Sequence, residues 1–346
     1  MKEIGGFFGL EINKKNFNYH SRAIPLSYGR SSLNLLIKLL NIKKIFIPFY
    51  CCNSVISVLE ENNIEYVFYS INYKLEIENE IILKDYEFIL YINYFSLKKD
   101  YINQISNFYR NKLIVDNTQD FFSKGYKYSF SFNSARKFFG VPDGSYLYFP
   151  NKLLNELSLI KCNNKYKELN YIIISYLNYK ININKRNSPK LDYLIDKISD
   201  NKNKAYIKYL KKEEKIKNDI NLISKISEIL LANVNLKKVK NARINNYNIY
   251  NKYFKDINLL KLLKNENEIP FFYPLLLDKK IDLKKFYSKN IFIPVFWKDV
   301  LERNLYKDSF NFEKNLSDKL LLLPLDHRYN FDDINIVVNN ILEEIL

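Results

Sequence analysis

From residue 30 to residue 149 short apolar runs alternate with stretches of helical spacing, and that alternation leaves few folds open. RSSLNLLIKLL (30–40) puts Leu33, Leu36, Ile37 and Leu40 on one helical face, with Gly29 just before it. Ser31 and Ser32 there are capping residue types. IFIPFY (45–50) predicts a buried strand and NSVISVLEENN (53–63) a helix closed by asparagines. EYVFYSI (65–71) and FILYINYF (88–95) predict strands, QISNFYRN (104–111) a helix, and LIVDNT (113–118) another strand. YSFSF (128–132) and SYLYF (145–149) complete the series. Strands alternating with helices imply an α/β domain with a mostly parallel sheet. Such sheets bind ligands at the carboxyl ends of their strands.

The remainder divides less sharply. Residues 151–240 are rich in lysine and asparagine with helical periodicity. KYLKKEEKIKNDINLISKISEILL (208–231) predicts one long amphipathic helix, and NKRNSPK (184–190) a loop. From about 241 a smaller α/β segment follows: a helix over ARINNYNIYNKYF, strand-like PFFYPLLL, the edge IFIPVFW, and a last helix after DHRYNFDD. The expected division is a large domain over 1–235 and a small one over 236–346. No internal repeat is present.

All seven glycines (Gly5, Gly6, Gly9, Gly29, Gly125, Gly140 and Gly144) lie within the first 144 residues. A chain so sparing of glycine keeps it where a side chain would obstruct, which marks the first half as the binding half. Three features there carry chemistry. Gly29-Arg30-Ser31-Ser32 at a loop-to-helix junction offers free N–H groups and hydroxyls, a phosphate seat that an ordinary capped helix also resembles. Asp116 ends the LIVD run, where a carboxylate serves as a turn residue or keeps a ring nitrogen protonated. Lys137 lies in SFNSARKFFGVPDG (131–144) among aromatic and glycine neighbours. A lysine that loses its hydration has a lowered pKa and becomes an amine nucleophile able to form a Schiff base.

Charge and cysteines bound the classes. The formal charge is +16, spread over many lysines without an arginine stripe, zinc-ligand spacing or basic reading helix. That suits small anionic substrates better than nucleic acid. The chain has no apolar run of transmembrane length, and its start lacks the apolar core of a signal peptide, so a cytoplasmic protein without membrane contact is expected. Cys51, Cys52 and Cys162 are expected as reduced thiols.

Order and spacing join the three features. A phosphate-binding helix start, then an aspartate, then a lysine about twenty residues on resembles the fold-type-I pyridoxal-phosphate enzymes, and within them the DegT/DnrJ/EryC1/StrS aminotransferases. SYGRSSLNLLIKLL is similar to that family's phosphate loop and helix, with Arg30 at a threonine position. LIVDNTQDF resembles its Val-x-Glu-Asp-x-Ala-(His/Gln) segment, and SFNSARKFFGVPDGS the lysine loop of a divergent branch. LLLLPLDHRYNFDD resembles the segment that closes the small domain.

The resemblance implies a mostly parallel seven-stranded sheet between helices, a smaller C-terminal α/β domain, and pyridoxal 5'-phosphate as cofactor. It implies that Lys137 is the Schiff-base residue, that Asp116 pairs with the pyridinium nitrogen, and that Gln119 lies near the ring's phenolic oxygen. Gly29, Arg30 and Ser31 would seat the phosphate, with Ser134 or Ser131 as a further ligand. Cys52 falls nearest the position of the residue that covers the ring, with Tyr50 the other candidate. The implied reaction moves an amino group, with glutamate the expected donor, to a keto sugar linked to a nucleotide, in a homodimer. A catalytically idle relative and a small phosphorylated ketone substrate stand as alternatives. The family's Gly-x-Asn-Tyr-Arg segment has no recognisable counterpart in 151–200.

Other residues are less specific. Arg328 and His327 are candidates for substrate contact, Arg328 equally for an ion pair with Asp326 or Asp332. His20 and His327 are the only histidines and have no metal-ligand company. Trp297 fits packing better than pocket lining, and Cys51 and Cys52 fit buried apolar positions. GGFFGLE (5–11), with Phe7, is expected to cover the active site.

Overall fold

A computed structural model describes residues 4–5, 19–151, 185–198, 202–303 and 309–345. Its centre is a seven-stranded sheet built from β2 (Ile24–Leu26), β3 (Lys44–Pro48), β4 (Glu65–Tyr69), β5 (Glu87–Ile92), β6 (Leu113–Asn117), β7 (Phe130–Asn133) and β8 (Ser145–Tyr148). The spatial order is β2-β8-β7-β6-β5-β3-β4, which puts β6 in the middle. Pairings from β7 through β4 are parallel, whereas β8 runs antiparallel to both β7 and β2. The central strands are apolar along their length because both faces are covered, and β6 is buried throughout.

Helix α1 (Gly29–Leu40) begins three residues after β2 and packs along β8 and β7. Helices α2 (Asn53–Glu61) and α3 (Lys99–Tyr109) follow β3 and β5. The alternation read from the sequence is therefore realised as βαβ units.

One sequence expectation fails. Residues 208–231 do not form one helix: α5 (Lys202–Glu214), which follows α4 (Asp192–Ile198), stops, and α6 (Lys225–Ala232) begins after a non-helical crossing. The crossing is extended because the large domain uses its backbone. Ser27 N–H donates to the Asn221 carbonyl at 2.8 Å, and Ile223 N–H donates to the Pro25 carbonyl at 3.1 Å. Asn34 Nδ2 donates to the Asn218 carbonyl at 2.7 Å. Ser224 then caps α6 by accepting from the Ser227 N–H.

The C-terminal part holds α7 (Leu236–Phe254), β9 (Tyr273–Leu276), the short α8 (Lys284–Tyr287), β10 (Ile291–Phe292), α9 (Asn311–Lys319), β11 (Leu320–Leu323) and α10 (Phe331–Ile345). β9 pairs antiparallel with β11, and β10 pairs in parallel with the N-terminal β1 (Ile4–Gly5). The main apolar core runs from the central sheet into this part without a break, taking in Leu90, Val115, Tyr250 and Leu322. A second core gathers Phe121, Phe122, Ala135, Phe138, Phe139 and Ile223 around the loop that carries Lys137. Among the described residues no helix is long and apolar enough to cross a membrane, and no cluster of His, Cys, Asp and Glu suits a metal ion.

Candidate active site

The middle strand sets the site. β6 delivers Asp116 at its carboxyl end, 6% exposed, between Ile92 of β5 and Phe132 of β7. Its carboxylate accepts the Thr118 N–H at 2.7 Å. From the opposite side Lys137 Nζ donates to Thr118 Oγ1 at 2.9 Å. One threonine thus stands between the buried acid and the amine, and joins two segments nineteen residues apart.

Burial raises the pKa of Asp116, while the Lys137 charge and the Thr118 bonds pull it back. Burial lowers the pKa of the Lys137 amine, against the pull of Asp116 and Cys52, and the Arg136 charge lowers it further. Both effects follow from placing a charged pair in a poorly hydrated strand end.

Gly29 brings α1 to the same place. A Cβ on it would stand 3.1 Å from Thr118 Cγ2 and 3.5 Å from the Phe132 ring. Only glycine lets the free N–H groups of the helix start approach the Thr118 loop so closely. The loop bearing Lys137 is held just as tightly. Phe138 and Phe139 N–H groups both donate to the Ala135 carbonyl at 3.0 Å, and Ala135 N–H donates to the Gly144 carbonyl at 2.9 Å. Gly144 has φ +133°, where L side chains are strained, and lies against Ala135 and Ile223.

Asp143 anchors the loop from beneath. It is fully buried and accepts from Ser224 N–H at 3.0 Å, Ser224 Oγ at 2.6 Å and Asn187 Nδ2 at 2.9 Å, and from Ser227 Oγ. The Asp143-Gly144 pair of the 131–144 stretch is therefore an anchor, a role the sequence reading did not assign. Arg243, also not singled out, lies buried with its guanidinium 4.5 Å over the Phe138 ring.

Gln119 is buried in the same strand-end loop. Its Oε1 accepts the Phe95 N–H at 2.8 Å, while its Nε2 has no partner among the described residues. Phe95 and Ser96 hold φ near +57° and +61°, and the Phe95 carbonyl accepts the Phe271 N–H at 2.9 Å. Two successive non-glycine residues in this region are costly and persist only where the surroundings impose them. Gln119 is thereby tethered through Phe95 to the C-terminal part.

The remaining candidates divide. Cys52 caps α2 and is near enough to act on the charges of both Lys137 and Arg30. Tyr50 is fully buried, with its ring stacked on Tyr94 at 6.0 Å and edge-on to Trp297 at 4.6 Å, so its ring is committed to packing. Ser31 Oγ donates to the Asp219 carbonyl at 2.6 Å, so its hydroxyl proton is already used, and its backbone remains at the helix start. Ser131 pairs with Val115, one residue out of step with Asp116 and Phe132. Strand alternation turns it to the opposite face of the sheet, whereas Ser134 is the first residue past the strand on the Lys137 side. Arg30 donates from Nη1 to the Ile216 carbonyl at 2.9 Å.

Arg328 grips Asp326 with Nε at 2.7 Å and Nη2 at 2.8 Å, one of the two ion pairs the sequence left open beside substrate contact. Although burial works the other way, the charges of Arg328, Arg243 and His327 keep the Asp326 carboxyl below the usual carboxylate range. The His327 ring lies 6.2 Å from that of Phe139, two residues past Lys137. His20 is buried against Phe121 and Tyr146, its Nδ1 2.6 Å from the Tyr148 hydroxyl, and burial holds its pKa well below the ordinary value. Phe7 lies outside the described residues.

A buried acid at a central strand end, a lysine across one threonine, and a glycine-started helix against the same loop define a strand-end site in an α/β fold. No family model matches the sequence, and no curated protein matches it. Solved structures do match over nearly the whole chain. Helicobacter pylori PseC, an aminotransferase involved in the biosynthesis of pseudoaminic acid, aligns at TM-score 0.66 and 13% identity over 99% of each chain. S. venezuelae DesV, solved in complex with a ketimine intermediate, aligns at TM-score 0.64 and 10% identity over 93% of this chain and 84% of its own. A DegT DnrJ EryC1 StrS aminotransferase from Brucella abortus aligns at TM-score 0.61 and 14% identity over 92% of this chain and 84% of its own. The chain has the fold of these aminotransferases, with the seven-stranded, mostly parallel sheet expected from the sequence.

Proposed function

We propose that the protein is a pyridoxal-phosphate-dependent aminotransferase of the DegT/DnrJ/EryC1/StrS type. It moves an amino group from glutamate to a keto sugar carried on a nucleotide, and works as a homodimer. The carrying observation is the Asp116–Thr118–Lys137 arrangement at the end of β6, with Lys137 Nζ 2.9 Å from Thr118 Oγ1. Two further observations fit the cofactor: the buried Gln119 Nε2, a donor with no protein partner among the described residues, and the close seat that Gly29 opens at the start of α1.

When bound, pyridoxal phosphate supplies an aldehyde that captures amines and a ring that stores the electron pair released at the amine's α-carbon. The protein's residues do the rest. Lys137 would hold the cofactor by its amine and, once free, would serve as the base that takes the proton from the donor's α-carbon. Burial lowers its pKa, which favours the free base this needs. Asp116 would hold a proton at the ring nitrogen, and Gln119 Nε2, buried and without a partner among the described residues, would donate to the phenolic oxygen. The N–H groups at Gly29–Ser31 and the Ser134 hydroxyl would hold the phosphate. Cys52 would cover the ring, and His327, with Arg328, would border the substrate. The large domain over 1–235 carries the chemistry, and 236–346 closes on it.

The test is borohydride reduction of the protein loaded with pyridoxal phosphate, followed by peptide mapping. The cofactor mass should appear on the Lys137 peptide, and adding glutamate before reduction should remove it. A label on another lysine, or none, refutes the assignment. Incubation of the loaded protein with nucleotide-linked and free phosphorylated keto sugars then decides between the two substrate classes.

A further inference from the structure

We propose that Arg30 and Arg136 of the same chain form a two-guanidinium clamp for a phosphate group, and that the phosphate is the cofactor's. The inference rests on the reading of the site as a pyridoxal-phosphate site, and adds to it Arg136, which with Arg30 would neutralise the charged end.

Arg30 is the second residue of α1, and Arg136 directly precedes Lys137. The Arg136 guanidinium lies 5.4 Å from the centre of the Tyr28 ring, and Tyr28 is the residue that precedes and caps α1. Both arginines therefore converge on one helix end. Both also rest on one segment: Arg136 is paired with Glu213, and Arg30 Nη1 donates to the Ile216 carbonyl at 2.9 Å. Each is only partly exposed, and Arg136 keeps 14% of its side chain accessible. Among the described residues Arg30 has no carboxylate partner, and Arg136 Nε is buried without a partner.

Two guanidiniums at one poorly hydrated helix start, with one carboxylate paired to Arg136 alone, repel each other and leave donors unused. A phosphate dianion answers both deficits, because its oxygens accept the planar forks of two arginines and the free N–H groups of the helix end. The placement also suits one small molecule. Gly29 and Lys137 meet the same Thr118, so an aldehyde at Lys137 and a phosphate at Arg30 lie within the reach of one compact ligand.

A phosphate carried by the sugar substrate has the same chemistry, and the test separates the two sources. Equilibrium binding of pyridoxal phosphate and of pyridoxal, which lacks the phosphate, is measured on the full-length cofactor-free protein. The variants are Arg30→Gln, and Arg136→Gln combined with Glu213→Gln so that no carboxylate is stranded. Pyridoxal phosphate should bind each variant roughly ten- to a hundredfold more weakly, the effect of losing a charge-assisted hydrogen bond. Pyridoxal should bind as it does to the unaltered protein, and Arg30→Lys should recover part of the loss. Unchanged affinity for pyridoxal phosphate overturns the clamp and assigns the arginines to the substrate. Equal loss of both ligands also overturns it, making the arginines structural. If the unaltered protein binds pyridoxal and pyridoxal phosphate equally well, the clamp fails while the Lys137 reading stands; if it binds neither, that reading fails first.

Discussion

Gly144→Ala should cost the protein much of its stability and loosen Lys137 at the same time. The glycine has φ +133°, and a methyl group there would meet Ala135 Cβ and Ile223 Cδ1, each at 3.1 Å. Forcing an L residue into such a backbone region costs about 1–3 kcal/mol. Two carbon contacts well inside the usual 3.5–4.0 Å optimum add roughly 1–3 kcal/mol of overpacking. The Ala135 Cβ, fixed to its backbone, cannot retreat cheaply. Ala135 is fully buried and opens the turn of Lys137, with its N–H bonded to the Gly144 carbonyl at 2.9 Å. Ile223 is fully buried, and its N–H bonds the Pro25 carbonyl at 3.1 Å. The sum, about 2–6 kcal/mol, is a large share of the stability of an ordinary protein, about 5–15 kcal/mol.

Urea unfolding followed by circular dichroism measures the loss, and pyridoxal-phosphate binding at low urea measures the loop. Gly125→Ala supplies the comparison. It too has positive φ, +85°, and a methyl there would stand 3.0 Å from Tyr148 Cβ, but it lies outside the 131–144 loop. It should lose stability and keep its cofactor affinity. If Gly144→Ala unfolds within about 0.5 kcal/mol of the unaltered protein, the packing argument for this glycine is wrong. If it is destabilised yet binds cofactor normally, the link to Lys137 is wrong.

Asp116→Asn should retain the covalent attachment at Lys137 and lose roughly 10²–10⁴-fold in turnover, because an amide cannot keep the ring nitrogen protonated; glutamate half-reaction kinetics measure it. Tyr86→Gly should raise stability by about 0.5–1 kcal/mol in urea unfolding, since this exposed residue holds φ +63° where glycine is unstrained. Burial, with Arg136 nearby, lowers Lys212 from 10.5 to about 7. Between those values the unfolded chain binds a proton that the folded one does not, so stability rises with pH across that window. Lys212→Met should therefore be most stabilising at and below pH 7, relative to the unaltered protein, with the difference shrinking towards pH 10.5. Melting temperatures across that range check the sign.

Much of the site was legible because its signals are local. LIVDN is a buried strand that ends one residue after Asp116, so the position of Asp116 near a carboxyl end follows from the run itself. Lys137 stood out because its glycine and aromatic neighbours are contiguous with it. The fold class followed from the alternation of periods 2 and 3.6. The long helix over 208–231 failed for the opposite reason. Its periodicity is real on both sides of the break, but residues 215–223 give their backbone groups to β2 and α1, segments about 190 residues earlier.

The sequence by itself determined the order of strands and helices, the acid near a strand end, the amine in the loop after the next strand, and the helix start beside serines, because each depends on neighbours a few residues away. Tertiary structure alone decided which of these meet. The registry of β6 with β7 turned Ser131 away and kept Asp116 inward. The approach of α1 to Thr118 explained Gly29, and the fold of 135–144 against Ile223 explained Gly144. The meeting of Arg30 with Arg136 lies across more than a hundred residues of chain. Such contacts are fixed by how covered sheet faces and loops close on one another, and no short stretch of residues encodes them.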